Sequence, residues 1–497
     1  MWAHSGGNKG DIRAHIVQFC AGRDVEQVPP SDESLLLADL ATNEAALLAL
    51  SQARVLSRAE AKNLAKAHIQ LRSQIEAGEF RLDPSLEDVH INLEAALRDE
   101  AGEAAGKLHS GRSRNDQVAC DLRQWHRDRI LDHITSQGAT IETFLNMAEE
   151  ERSTVMPGYS HHQRAFVTTW GHLIASYAQA WLRDVERGLE VLNRVNQSPL
   201  GAAAGFGTSW RIDRELLAKL LGFEGLVENS LDAVSSRLEV ETDVAAWLAI
   251  WMTHASTIAQ DLILYSTEEF GWMQLAPETT TGSSIMPQKR NPDFAEVIKG
   301  KTSLVHGALS SLLSLGKGLP SGYQRDSQYS KQIGQDIWRE VAEIPEVLGI
   351  VFGAMKMNRR EMKEATREGF LDAAEWADAI AQNSKLPFRD VYKAIGMAVN
   401  KSRKAGRLSL PAINQALKDC SLDYKVGPKL ASRFKSPEDL IGARFTVGSP
   451  NPDRVMENIE NLSGELSGLM RITKSVRKQI ESGNRARLTK IKELAGK

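Results

Sequence analysis

The chain has 497 residues, 42% of them hydrophobic and 25% charged, with a formal net charge of −3; this is ordinary globular composition for two or three domains or one elongated one. The near-neutral balance excludes a global basic field for nucleic acid. Cys20, Cys120 and Cys420 are odd in number and widely spaced, which excludes a disulfide framework and a zinc site and points to a reducing, cytoplasmic setting, as does the lack of an apolar signal segment at residues 1–7.

Helical periodicity carries most of the remaining information. Gly106 to Gly111 closes an N-terminal segment. From Asn115 to Met147, Val118, Leu122, Trp125, Ile130, Ile134, Ile141 and Phe144 recur at mostly helical spacing. Met156-Pro157-Gly158 interrupts the pattern. From Phe166 to Val195 it resumes with Trp170, Leu173, Ile174, Tyr177, Trp181, Val185, Leu189 and Leu192. Ser198 to Gly207 reads as a loop. Glu241 to Phe270 is apolar around most of its circumference, so other helices must surround it. Its most apolar part, Val244 to Leu264, is interrupted by Thr253, His254, Ser256, Gln260 and Asp261 and is expected to be a buried helix rather than a membrane span. After Pro292, Val297, Ile298, Val305, Leu309 and Leu312 make a fourth pattern, ended by Gly316 to Gly322. Period-2 runs are absent apart from short pieces such as Arg444 to Val447. Four helices of roughly 25–35 residues are about two to three times the usual length. They predict an all-α, three-domain elongated protomer: an N-terminal helical domain at 1–111, a central long-helix bundle with the active-site segments at 112–360, and a small helical domain at 361–497. The basic stretch Lys474 to Lys497 is expected to be a solvated helix face, with a partner patch as the alternative.

One segment concentrates chemistry. Gly282-Ser283-Ser284-Ile285-Met286-Pro287-Gln288-Lys289-Arg290-Asn291-Pro292 joins backbone freedom, two hydroxyls, a cation and a helix start, with Asn291 as the expected N-cap. A serine is a poor base unless its alkoxide is stabilised. Lys289 can supply that charge, or can neutralise a substrate carboxylate turning into a dianion. At about 4 Å and an effective dielectric near 20, a charge pair is worth roughly 4 kcal/mol, about a thousandfold in rate if felt only in the transition state. Such a loop suits removal of a proton next to a carboxylate. Arg112 and Arg114 offer guanidinium forks for dicarboxylates, and Arg112 has an intersubunit salt bridge as its alternative.

The pattern Gly282-Ser283-Ser284-x-Met286-Pro287-x-Lys289-x-Asn291-Pro292 resembles the signature of the fumarase/aspartase superfamily. The runs Lys107 to Gln117, Gly158 to Ala165, Asn229 to Ser235, Leu319 to Gln328 and Glu87 to His90 narrow the resemblance to argininosuccinate lyases, in matching order from about residue 85 to 335. The resemblance implies a β-elimination without metal or organic cofactor, acting on a small dicarboxylate, in a homotetramer whose sites are each shared by three subunits. It implies Ser283 as general base, Lys289 and Asn291 as stabilisers of the aci-carboxylate, and His161 paired with Glu296 to assist the departing nitrogen. It implies substrate contacts from Ser113, Arg114, Asn115, Ser160, Tyr323, Gln328 and Lys331. Arg237, just after a serine pair, is a further carboxylate-binding candidate, and His162 reads as structural.

The chain departs from the family pattern at Trp2 and Gly6-Gly7, at Phe19 to Asp24, at Phe166 where Gln is usual, at Leu238 where an acid is frequent, at Ser160 for Thr, and at Ala374-Glu375 for Thr-Asp. Most of these fall near the amine half of the substrate. A lyase releasing fumarate from another N-substituted aspartate, or a weakly active structural relative resembling lens crystallins, stand as alternatives.

Overall fold

The computed structural model describes residues 16, 19, 20, 29–83 and 85–496; Trp2, Gly6, Gly7 and residues 21–24 lie outside them. Three helices lead: α1 (Leu36–Gln52), α2 (Arg58–Glu76) and α3 (Val89–Ala101). α2 starts on a reciprocal cap, with Ser57 Oγ accepting from Glu60 N and the Glu60 carboxylate accepting from Ser57 N, which satisfies two otherwise orphaned donors. The stretch Ser31–Gln52 is long and apolar enough to cross a membrane, yet 72% of its most apolar window is buried in protein. Asp39, Thr42, Asn43 and Glu44 are buried along it, and each finds a side-chain partner. It is a core helix.

The body is built from α4 (Arg114–Glu150), α5 (Trp170–Val195), α6 (Arg237–Tyr265) and α7 (Asp293–Gly316), with α8 (Tyr329–Val341) packed on α6 and α9 (Ile344–Ala354) on α4. The four expected long helices are therefore all present, within a few residues of their expected ends. α4 packs along α5, and α6 along both α5 and α7. Trp170, Trp181, Trp251 and Trp272 are fully buried between them, each contributing roughly 1.5–3 kcal/mol by the scale of large apolar side chains. His133 stands edge-on to Trp251 at 4.4 Å. Gly188 of α5 permits the close approach of α6: a Cβ there would lie 2.6 Å from the Trp247 ring.

The second pattern begins later than expected. Residues 166–169 belong to a hairpin, β1 (Val155–Ser160) and β2 (Gln163–Thr169), and the expected breaker Met156-Pro157-Gly158 lies inside β1. The β-branched run Val167-Thr168-Thr169 favours strand, and Thr169 Oγ1 then caps α5 by accepting from His172 N at 3.0 Å. Three further pairs of two-residue strands occur among the described residues. Arg444 to Val447 form no strand; they turn after the short helix Pro437–Gly442, with Phe445 and Val447 exposed.

A second core is built by α10 (Ala373–Ser384), α11 (Phe388–Ser402) and α12 (Leu410–Asp419), around Trp376, Ile380, Val391, Ile395, Ile413 and Leu417. α13 (Pro452–Ala495) leaves that unit and packs on α2, α4 and α5. Its Val455, Ile459, Leu462, Leu466, Ile480 and Ile491 join the main core, so residues 452–495 pack with the body, not with the small unit expected at 361–497. Its basic end is not wholly solvated either. Arg487 is buried and donates to Glu44 at 2.9 Å, which Arg72 also grips at 2.8 Å. Burial favours the neutral Glu44 carboxyl, but the two guanidiniums outweigh it and hold its pKa below the ordinary value.

Candidate active site

A cavity of about 600 Å³ opens where the first turns of α3, α4 and α6 meet the segment 323–332. Six of the expected contact residues line it: Arg114, Asn115, Arg237, Tyr323, Gln328 and Lys331. The helix starts explain the convergence. Ser113 is the N-cap of α4, its Oγ accepting from Asn115 N at 3.3 Å, while Asp116 accepts from Ser113 N at 3.0 Å. That fixes the direction in which Arg114 and Asn115 leave the helix. Asp116 also accepts from Gly201 N and Ala203 N, each at 2.9 Å, so the cap is tied to the loop before the short helix Arg214–Leu220. Arg237 is buried with its Cζ 5.2 Å from the Tyr323 ring centroid; burial pushes its pKa down from the ordinary value. Behind it, Glu241 is buried and pushed up to about 7.

The cations here lean on carboxylates. Arg114 pairs with Glu87 at 3.0 Å and Asp88 at 3.4 Å, and Lys331 pairs with Asp32. Asp32 also accepts from Val89 N at 3.0 Å. Asp32 carried no motif that sequence reasoning could use, and Glu87 and His90 were visible only as part of a resemblance without a role. Arg112 is not among the residues that line this cavity. It donates to Asn43 Oδ1 at 2.7 Å and to the Leu108 carbonyl at 3.1 Å, bracing α1 against the turn before α4. Leu238 points away from this cavity; it lines a neighbouring one of about 740 Å³ and packs against Gly316.

The loop lies at the opposite end of α7. Thr281–Gly282 pairs antiparallel with Arg290–Asn291, and residues 283–289 project between them. Ser283 Oγ accepts from Ile285 N at 3.3 Å and Met286 N at 3.1 Å. Two amide donors on that oxygen favour its ionised form, which a serine base requires. Ile285 is 86% exposed, and Lys289 is exposed as well. Asn291 is not the helix cap expected. It sits in the strand pair and donates to Thr281 Oγ1 at 3.2 Å, while α7 starts at Asp293 after Pro292. Glu296 is exposed on the first turn.

Ser160, His161 and His162 form the exposed tip of the β1–β2 hairpin, with φ of 52° at His161 and 58° at His162. Both positive values match the two-residue turn that suits a right-twisted hairpin. The hairpin is anchored from the side: Arg164 donates to Glu368 and the Ala365 carbonyl, and Arg444 stacks over Phe166 at 5.2 Å. Within one chain His161 makes no ion pair with Glu296; both face outward.

Helix length decides what one chain can assemble. The 24 residues of α7 span about 36 Å and the 37 of α4 about 55 Å at 1.5 Å per residue. Ser283, Lys289 and Asn291 therefore lie one helix away from Tyr323, Gln328 and Lys331. Ser160 and His161 lie one longer helix away from Ser113, Arg114 and Asn115.

A protein-family profile described as lyase matches residues 31–307. The chain belongs to this lyase family. Its relatives include the argininosuccinate lyase of a Chelativorans species, 39% identical over 459 residues that cover 91% of this chain and 96% of the relative. That of Alkalilimnicola ehrlichii is 41% identical over 465 residues, covering 92% and 95%. The resemblance thus runs through nearly the whole lyase, well beyond the 85–335 region that carries the motifs. The fold matches the crystal structure of EDDS lyase in complex with formate with a TM-score of 0.88 at 22% identity, covering 99% of this chain and 97% of the other; a variant of that enzyme was solved with bound fumarate. The mostly helical fold is that of these lyases.

Proposed function

We propose that this lyase cleaves argininosuccinate to arginine and fumarate, in a homotetramer whose sites combine the cavity of one copy with the 283–289 loop and the hairpin of others. The observation that carries this reading is the split between the two ends of α7. A serine poised for ionisation and a cavity of fixed cations stand about 36 Å apart by helix length, too far to share one small substrate within a chain. Association of copies with a twofold relation brings opposite ends of antiparallel elements together.

In the assembled site, Ser283 takes a proton from the succinyl methylene carbon. The electron pair moves into the neighbouring carboxylate, giving an aci-carboxylate that Lys289 and Asn291 meet with positive charge and a hydrogen bond. The pair then returns to form the carbon–carbon double bond as the C–N bond breaks. The departing nitrogen gains a proton with help from His161, held by Glu296 of another copy. Arg114, Asn115, Tyr323, Gln328, Lys331 and Arg237 hold the carboxylates, with Ser113 and Ser160 as supporting groups. Asp32, Asp83, Glu87 and Asp88 line the same cavity, with Asp32 paired to Lys331 and Glu87 and Asp88 to Arg114; the choice of argininosuccinate over other N-substituted aspartates is supported by the argininosuccinate lyases that are 39–41% identical over most of the chain.

The test incubates the purified protein with argininosuccinate while fumarate is followed by ultraviolet absorbance and arginine by mass spectrometry. Stoichiometric release of both is expected. Fumarate released only from a different N-succinyl amine would transfer the activity to that substrate, and no fumarate from any would leave a structural role. Subunit sharing has its own test in mixed tetramers. Ser283→Ala and Lys331→Met should each be inactive alone, and co-expression should restore roughly a quarter of wild-type activity, because loop and cavity come from different chains. No recovery would place both groups in one chain's site.

A further inference from the structure

Behind the cavity lies a buried group that the elimination does not use. His90 Nδ1 is 2.8 Å from Asp39 Oδ1 and 3.8 Å from Asp121 Oδ2. Thr42 Oγ1 donates to Asp121 Oδ1 at 2.7 Å, and Asn43 Nδ2 donates to Asp39 Oδ2 at 3.0 Å. Asp121 Oδ2 is buried without a hydrogen-bond partner. The three side chains come from α3, α1 and α4, so the packing of the N-terminal helices on the body creates the arrangement. The His90 ring keeps 6% exposure and is part of the cavity wall beside Arg114, Asn115 and Lys331.

We propose that His90 is a further substrate-binding group, offering its outer N–H to a substrate carboxylate while Asp39 and Asp121 grip the ring from behind. This inference rests on the lyase reading above.

Two other buried histidines differ in kind. His126 and His133 sit among tryptophans without a carboxylate contact and are pushed down to about 3 by burial. At His90 burial also disfavours the charge, but Asp39 foremost, then Asp121 and Asp88, outweigh it and raise the pKa to about 9. Two carboxylates this close do not both ionise. Burial and Asp39 push Asp121 well up, while His90 and Arg112 hold Asp39 down. His109, from the turn before α4, also senses His90 electrostatically and is itself pushed down by burial. The cluster is thus one carboxylate and one imidazolium, neutral in sum and oriented by its hydrogen bonds. The donor atoms of the three side chains lie within 4.8 Å of one another, a spacing that also suits a metal ion, but a cation there would displace the imidazolium proton.

Calorimetric titration of the assembled protein with fumarate tests the proposal, since binding needs no turnover. His90→Gln keeps a neutral donor and should weaken fumarate binding by about tenfold or more, the worth of one charge-assisted hydrogen bond, with KM raised and kcat changed less than about threefold. Wild-type affinity should fall as pH rises through about 9, and His90→Gln should lose that step. Asp39→Asn should move the step to lower pH, which decides the matter if His90→Gln does not fold. Binding by His90→Gln within twofold of wild type, a step that survives the substitution or stays put in Asp39→Asn, or loss of wild-type binding on adding a chelator would each overturn the role of His90. If wild-type protein binds no fumarate and releases none, the lyase reading itself falls and takes this one with it.

Discussion

His161 and His162 pay a conformational cost for their place. Each holds a positive φ, a region that histidine enters more readily than β-branched residues but less readily than glycine or asparagine. His162→Val should therefore strain the hairpin tip and lower kcat by misplacing His161, while His162→Asn should leave turnover near wild type; steady-state kinetics of the two variants would separate them. At Ser283 the two amide donors predict a sharper result. Ser283→Ala should cut kcat by about a thousandfold or more, the upper range for removal of a positioned base, with the assembly state and fumarate affinity unchanged by sedimentation and calorimetry. Near-normal turnover would move the base elsewhere. At this scale the sequence made the loop and the arginine-rich cap legible because they combine rare residue types in fixed order. It did not reveal that Arg112 turns inward to Asn43 while Arg114, two residues on, lines the cavity. That difference comes from the Ser113 cap between them, which leaves Arg112 in the preceding turn and makes Arg114 the first helical residue.

Among the elements, α4 depends most on its start. Asp116 accepts from Ser113, Gly201 and Ala203, and burial pushes its pKa up. Asp116→Ala would leave these backbone donors unpaired. It should destabilise the fold by roughly 1–3 kcal/mol, read in urea denaturation, and should raise KM as Arg114 and Asn115 lose their fixed direction. Where α13 crosses the body, a Cβ on Gly483 would lie 2.6 Å from the Lys219 carbonyl oxygen and 2.7 Å from Gly222 Cα. The neighbours are backbone, so Gly483→Ala should cost about 1–3 kcal/mol with little direct effect on chemistry. Long helices were readable because six or more turns of spacing leave little room for another period. The hairpin was not, since Phe166 to Thr169 run straight into the α5 pattern and are too short to show alternation. Nor was the docking of α13, because an amphipathic stripe announces a buried face without naming what buries it.

For the whole molecule, pH sensitivity follows from the aromatic core. His126 and His133 are held neutral, with pKa about 3 in the fold against about 6.5 in an unfolded chain. Between those values the unfolded chain binds the extra protons, so their contribution to stability is complete above about 6.5 and is lost as pH falls toward 3. Glu241, raised to about 7, works in the opposite sense, favouring the fold below about 4.5 and losing that advantage as pH rises through 7. Thermal denaturation from pH 4 to 8 should show a falling midpoint on the acid side, flattened in His133→Phe. A midpoint unchanged down to pH 4 would mean those rings are not neutral in the fold. The rigid length of α4 has a further consequence. It serves as a gauge, fixing how far a chain's hairpin tip stands from its own cavity, and so, in the homotetramer proposed above, how one copy's reach must match another's. A single residue inserted near its middle would swing everything beyond by about 100° and shift it by about 1.5 Å. Seven residues would nearly restore the facing side and lengthen the rod by about 10 Å. Under the proposed assembly, such a variant would fold chain by chain and still fail to mate with copies of normal length.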